Sequence, residues 1–249
     1  FTTSRFAHCT SHTAHHTSHS TVMFQSVLGT QDFCKAAVDI LYEHRVITDV
    51  IKSQFFKPWG MFAVEYYPGA PVAMGNDMSP SMTSKKPRFS FTADPNGRNP
   101  SVSDSDLFTV VMTDPDAPSS TDRKWSEFCH YIVSDLEVYD DTTRYQNPDD
   151  TGEAATRPSY LSVELVRGNV LVDYMGPAPP EDTGKHRYVF LLYKQYRDSS
   201  TYTRVSDRTN WGYGTPGMGA DQWARENNLE LIGANFFYAS SVSKKVTVI

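Results

Sequence analysis

Apolar residues recur in two rhythms along this chain. Phe33, Ala36, Ala37, Ile40 and Leu41 fall at i, i+3, i+4, i+7 and i+8, the stripe of one helix face. With Thr30 as its N-cap, that stripe predicts a helix through about His44. Downstream the rhythm shortens to that of strands. Met61 to Tyr66 reads as one strand, and Arg88-Phe89-Ser90-Phe91-Thr92 alternates strictly. Leu107 to Met112 is apolar on both faces, and Tyr188 to Tyr193 is a run of the same kind, which predicts central strands buried on both sides. His130 to Val133 predicts another. Leu161 to Val166 and Val170 to Tyr174 flank Arg167-Gly168-Asn169, a turn signal that predicts a hairpin. Ala220 to Asn227 predicts a short helix. It leads into a strand over Leu229 to Tyr238, with Leu229, Leu231, Gly233, Asn235 and Phe237 on one face. Many strands, two helices and no βαβ alternation indicate a mostly β fold.

Two stretches fall outside both rhythms. Residues 1–22 are dominated by Ser, Thr, His and Ala, and hold His8, His12, His15, His16 and His19. Histidines 12, 15, 16 and 19 can share a helix face, so metal binding is one reading. The composition favours a disordered tail, because polar Ser/Thr-rich sequence supports no core. A transit peptide and an extension upstream of an initiating Met23 are the other readings, and the missing apolar h-region argues against a secretory signal. Residues 139–158 are acidic and polar and read as a surface loop, with a basic partner as the alternative. The expected organisation is a tail over 1–22 and one domain over 23–249.

Composition narrows the class. The chain has 249 residues, enough for one well-cored domain, and 39% of them are hydrophobic. A formal net charge of -6 argues against nucleic acid as a partner, since phosphate binding wants a basic surface. No apolar run approaches the ~18 residues of a membrane span. Cys9, Cys34 and Cys129 are odd in number and lack metal-site spacing, which predicts free thiols in a reducing compartment. Asn99-Pro100-Ser101 is no glycosylation sequon because of its proline. A cytoplasmic location is therefore expected, with vacuolar or membrane-associated as alternatives, and mitochondrial if residues 1–22 are a transit peptide.

The candidate chemistry lies in three pieces. Thr113-Asp114-Pro115-Asp116-Ala117-Pro118 follows a buried strand, and its prolines fix φ and remove donors. Lys124 to His130 comes next, with His130 opening a strand. Gly176-Pro177-Ala178-Pro179-Pro180 closes on His186-Arg187-Tyr188, a stiff turn that can aim backbone N–H groups at an anion. Taken singly, these pieces also read as a capped turn, a core histidine and an inter-strand loop. Together, imidazoles, a phenol and backbone amides suit phosphate or another small oxyanion. A carboxylate beside an imidazole orients the ring and favours its charged form. An enzyme would need more. Gly-X-Ser-X-Gly is absent, and a two-histidine, one-carboxylate metal site at His130, His186 and Asp114 competes with the anion pocket for the same residues.

Residues 113–130 and 176–193 resemble the two signature regions of the phosphatidylethanolamine-binding protein family. Within that family the chain looks most like the fungal carboxypeptidase Y inhibitors. The likeness is carried by Pro71 to Asn76, Trp125 to His130, Met175 to Pro180, Asn210 to Pro216, and Trp223-Ala224 through Asn235 to Ala239. It covers roughly residues 23–240. The resemblance implies a central antiparallel sheet, a second smaller sheet and a few peripheral helices. It implies a small pocket for an anionic phospholipid headgroup or phosphate-like ligand. Carried over by position, the lining is Asp114, Asp116, Ala117, Phe128, His130, Gly176, Ala178, Pro179, His186 and Tyr188. Phe128 stands where many animal members have Trp, and Asp182 where they often have Gly. The resemblance further implies a monomeric, non-catalytic inhibitor of a serine carboxypeptidase of the carboxypeptidase Y type, with no cofactor and no metal. Its inhibitory segment would be Met23, Phe24 and Gln25. The alternative it implies is a phospholipid- or phosphopeptide-binding regulator of kinase or Ras-pathway signalling.

Overall fold

A computed structural model describes residues 33–66, 69–94, 102–103, 105–139, 162–196 and 201–241. Thr30, the 1–22 segment, Met23 to Gln25 and residues 140–158 of the acidic stretch lie outside the described residues.

The two runs that are apolar on both faces form the middle of the molecule. They are β5 (Leu107–Asp114) and β9 (Lys185–Gln195), paired antiparallel with each other. In β9 the side chains of Tyr188, Phe190 and Leu192 enter one core, joined there by Phe108, Val110 and Met112 of β5. Val189, Leu191 and Tyr193 enter a second core with Val111. A strand that feeds two cores has no face left for polar residues, which is why the alternation disappears.

Strands cover the first core. β1 (Gly60–Tyr66), β4 (Arg88–Ala93) and β7 (Ser162–Val166) supply Phe62, Val64, Tyr66, Phe89, Phe91, Val163 and Leu165. Helical segments cover the second. Helix α1 (Phe33–Glu43) gives Leu41, and a wide π-helical turn over Ile47–Ile51 gives Ile47, Val50 and Ile51. Helix α2 (Ala220–Glu226) gives Ala220, Trp223 and Ala224. Burying each large apolar side chain contributes about 1.5–3 kcal/mol, so the two cores dominate the stability.

The strand order is β2-β1-β4-β7-β6-β5-β9-β10-β3, where β2 is Ala70–Pro71, β3 Asn76–Asp77, β6 Phe128–Tyr139 and β10 Leu229–Ser240. The smaller sheet is continuous with the central one through the long β6. Asp135, at φ 54, bends that strand. β6 pairs with β5 on both sides of the bend, with β8 (Asn169–Val172) before it, and with β7 beyond it.

Two expectations from the sequence are corrected here. Strands β7 and β8 pair not with each other but with the two halves of β6, so Arg167-Gly168 is a crossover rather than a hairpin turn. A Cβ on Gly168 would sit 2.5 Å from Val133 Cγ2, so the crossover needs a glycine to lie this close to β6. In β10 the register shifts between Leu231 and Gly233. That bulge breaks the single face: Leu229 and Leu231 pack on the second core, Ile232 and Phe237 on the first.

Candidate functional site

The site forms where β5 ends and β6 and β9 begin. Asp114 is the last residue of β5, and its Oδ1 accepts the Asp116 backbone N–H at 2.7 Å. This local bond closes the turn around Pro115. Thr113 ties the turn to its surroundings. Its hydroxyl donates to the Phe128 carbonyl at 3.1 Å and accepts from Trp211 Nε1 at 3.1 Å. The Asn210 side chain clamps the other end of the loop through the Ser126 carbonyl at 2.6 Å.

His186, one strand away, lies 2.8 Å from Asp114 Oδ2 through Nδ1, and 2.9 Å from the Thr183 hydroxyl through Nε2. Both His186 nitrogens are thus engaged within the protein. Hydroxyl, imidazole and carboxylate in a row is the layout of a hydrolase triad. Thr183, however, also directs its hydroxyl to the Pro180 carbonyl at 2.8 Å, which takes the proton a base would have to remove.

His130 owes its position to a second bulge. Thr113 pairs with Cys129 and Met112 with Tyr131, so His130 is the extra residue between them. Bulges of this kind re-aim a side chain beside a site. Its Nδ1 lies 2.7 Å from the Met175 carbonyl, and the Met175 N–H returns a bond to the His130 carbonyl at 2.9 Å. The ring packs between Phe128 and Tyr188, with centroids 5.0 Å and 5.1 Å away. Burial holds its pKa below the usual histidine value, against the opposing pull of Asp114. Burial likewise pushes the Tyr188 phenol up, and the negative charge of Asp114 adds to that.

The structure therefore brings Asp114, His130, His186, Tyr188 and Phe128 together. Gly176, Ala178 and Pro179 lie on the loop that carries Met175 and the Ala178 amide. A Cβ on Gly176 would stand 2.9 Å from the Thr83 carbonyl oxygen, so that neighbour also borders the loop. Ala117 is buried and accepts the Trp125 N–H at 3.2 Å.

Asp116 belongs to a different set of contacts. Its carboxylate accepts from Arg187 Nε at 2.8 Å, Arg187 Nη2 at 2.7 Å and the Arg187 backbone N–H at 2.9 Å, with Arg123 Nη2 at 3.0 Å. Arg187 also reaches Asp49 at 2.8 Å and the His44 carbonyl at 2.9 Å. Burial disfavours the Asp116 carboxylate, but its bonds from Arg187 outweigh that and hold it below the usual carboxylate range. Arg187, Asp49, Arg123, Thr183 and the Met175 carbonyl are the residues that sequence reasoning missed. For Arg187 a signal existed: in a strand it must face away from its neighbours His186 and Tyr188. Among the described residues, no group of three His, Cys, Asp or Glu is placed to hold a metal.

The model of the family described as "Phosphatidylethanolamine-binding protein" matches residues 65–237, which contain Asp114, Phe128, His130, His186 and Tyr188. The chain belongs to the phosphatidylethanolamine-binding protein family. It is 46% identical over 221 residues to the carboxypeptidase Y inhibitor of Saccharomyces cerevisiae, across 84% of this chain and 97% of that protein. Among solved structures it is similar to carboxypeptidase Y inhibitor complexed with the cognate proteinase. That match has a TM-score of 0.74 and 45% identity, and covers 86% of this chain and 98% of the other. The phosphatidylethanolamine-binding protein of Plasmodium vivax shares the fold at 19% identity, with a TM-score of 0.57 over 82% of this chain and 97% of that one. Asp182, noted above as a departure from the family's frequent glycine, sits at φ 64. That left-handed conformation is the one glycine adopts most readily.

Proposed function

We propose that this chain is a non-catalytic inhibitor of a serine carboxypeptidase of the carboxypeptidase Y type. The observation that carries this reading is its 46% identity to the yeast carboxypeptidase Y inhibitor, over 84% of this chain and 97% of that protein. Inhibition of a protease is an interface function, so surface segments carry it rather than the buried site. Met23, Phe24 and Gln25 form the segment proposed to block the enzyme's cleft, with the Phe24 ring in an apolar subsite. A segment that enters a cleft as a chain end works best when nothing precedes it. Carboxypeptidase Y activity measured with polypeptides beginning at Met23 and at Phe1 tests both ideas. Equal potency removes the chain-end idea; no inhibition by either removes the inhibitor assignment.

The geometry favours a second, separate function for the site around Asp114: a small pocket for a phosphoryl group. Support comes from the Tyr188 hydroxyl, the Ala178 backbone and the two imidazoles converging beside a glycine- and proline-rich loop. This pocket uses different residues from the inhibitory segment, so the two activities are separable by mutation.

A further inference from the structure

Away from the Asp114 site, the carboxyl of Glu127 is completely enclosed, with no exposed side-chain surface. The loop ahead of α2 is shaped around it. A Cβ on Gly219 would stand 2.7 Å from both Cβ and Cδ of Glu127, so only glycine leaves room for this side chain. The Glu127 backbone N–H donates to the Met218 carbonyl at 3.3 Å, and the Gly217 N–H to the Ser126 carbonyl at 2.5 Å. One carboxylate oxygen accepts the Ala220 N–H at 3.4 Å. The other meets Lys52 Nζ at 3.2 Å, and the same ammonium donates to the Gly217 carbonyl. Lys52 caps the π-helical turn over Ile47–Ile51 in a left-handed conformation, at φ 56. The contact therefore ties that turn to the loop.

An enclosed carboxylate needs a compensating charge. Every element packed around Glu127 contributes a group. The π-helical turn gives the Lys52 ammonium, and β5 the Thr113 hydroxyl. Cys129 comes from β6 and Tyr193 from β9, while Asp221 of α2 adds a second negative charge that bears on Tyr193. Burial pushes the thiol and the phenol up, so both are neutral where a carboxyl titrates. Arg208, the other cation nearby, bears on Cys129 and donates to the carbonyls of Cys129, His130 and Asp173. Lys52 is thus the charge that answers Glu127. The dependence is mutual. The Lys52 side chain is 31% exposed, and its flexible stem can carry the ammonium into water. Opposite a neutral Glu127, only the uncharged Gly217 carbonyl would hold it inward.

We propose that Glu127 and Lys52 form a pH-operated latch. The ionised carboxylate holds the ammonium inward and ties the π-helical turn to the loop ahead of α2; protonation in mildly acidic solution releases Lys52 to water. The corner it frees carries Phe55, which is 90% exposed. The release is local, because Glu127 stays enclosed and the backbone bonds of Gly217 and Met218 do not depend on its charge. Global unfolding, by contrast, exposes the carboxyl. Linkage makes the coupling reciprocal: the factor by which Lys52 weakens proton binding to Glu127 is the factor by which ionisation tightens the hold on Lys52.

The test is acylation of the lysine amines by a succinimidyl ester, read by mass spectrometry on the full chain. Burial pushes the Glu127 carboxyl up to about 7, against the pull of Lys52. Its ionised fraction therefore falls from about nine-tenths at pH 8 to about one-tenth at pH 6. Exposed Lys57 on the same loop is the internal reference and cancels the pH dependence of amine chemistry. The Lys52-to-Lys57 ratio should rise by up to about ninefold from pH 8 to pH 6. In Glu127→Gln it should be high at both. A flat ratio in the unsubstituted chain overturns the latch, as does a rise that survives in Glu127→Gln or a ratio that stays low there. Should Glu127→Gln fail to fold, Lys52→Met, altered at a partly exposed position, decides the matter. With carbon-13 in the glutamate carboxyls, the resonance that titrates near 7 should move to higher pH in Lys52→Met. An unmoved midpoint overturns the coupling.

Discussion

His186 Nδ1 lies 2.8 Å from Asp114 Oδ2, and both side chains are almost completely buried. The pair joins the end of β5 to the start of β9 and fixes the ring plane beside Tyr188. Asp114→Asn keeps the shape but loses the charge that strengthens this bond. Bonds to a charged group are worth about 1.5–3 kcal/mol, so the variant should lose on the order of 2 kcal/mol of stability in urea unfolding. An unchanged midpoint would mean that the pair contributes nothing to folding.

Arg187 is expected to matter more. Its guanidinium joins the Asp114–Asp116 turn, the Ile47–Ile51 turn and the end of α1. Arg187→Met leaves Asp116 with Arg123 alone and Asp49 with Arg123 and Arg45, both on the outer side, and breaking a buried ion pair from one side costs about 3–5 kcal/mol. Arg187→Lys should fall between, because a single ammonium cannot span both carboxylates in a planar fork. Urea unfolding of both variants checks the order.

Glu127 makes stability depend on pH in an unusual sense. Its side chain is fully buried, and burial pushes its carboxyl up to about 7, against the pull of Lys52 at 3.2 Å. The unfolded chain has the lower value, so folding favours the protonated form. This contribution is full below about pH 4.5, lost as pH rises through about 7, and on the order of 3 kcal/mol. Asp49 acts oppositely. Burial opposes its charge, but its bonds from Arg187 and Arg123 hold it at about 2, so its contribution disappears only in strong acid. His130, held neutral by burial, acts oppositely over the same range, so the assignment is read from the difference: relative to Glu127→Gln, the urea midpoint of the unsubstituted chain should fall between weakly acidic and neutral pH. Parallel profiles for the two proteins would contradict the assignment.

Gly168→Ala should cost about 1–3 kcal/mol through overpacking, because its Cβ would press on Val133 and Leu136. A crossover able to lift from β6 would show little loss in the same assay.

The elements legible in the sequence were those whose pattern is local. Apolar residues on both faces of Leu107 to Met112 and Tyr188 to Tyr193 placed the central strands, and the stripe ending at Leu41 placed α1. The pieces that meet at the site were also legible, because Asp114, His130, His186 and Tyr188 stand in short, chemically distinctive runs. Register was not. A period of two assumes an unbroken strand, and one extra residue at His130 or Ile232 moves everything beyond it to the other face. Partners distant in sequence were hidden as well: Arg187 and Asp49 are 138 residues apart. The Met175 carbonyl could not be read at all, since any residue type supplies one.

The inhibitor reading is tested most directly by titrating carboxypeptidase Y with the polypeptide beginning at Met23 and with its His186→Ala variant while following peptide hydrolysis. Removing His186 leaves Asp114 facing the pocket without its imidazole, so phosphoryl binding should weaken while the surface is untouched. Both proteins are expected to inhibit the enzyme with nearly equal potency. Full carboxypeptidase activity in the presence of excess unsubstituted protein would contradict the proposed function.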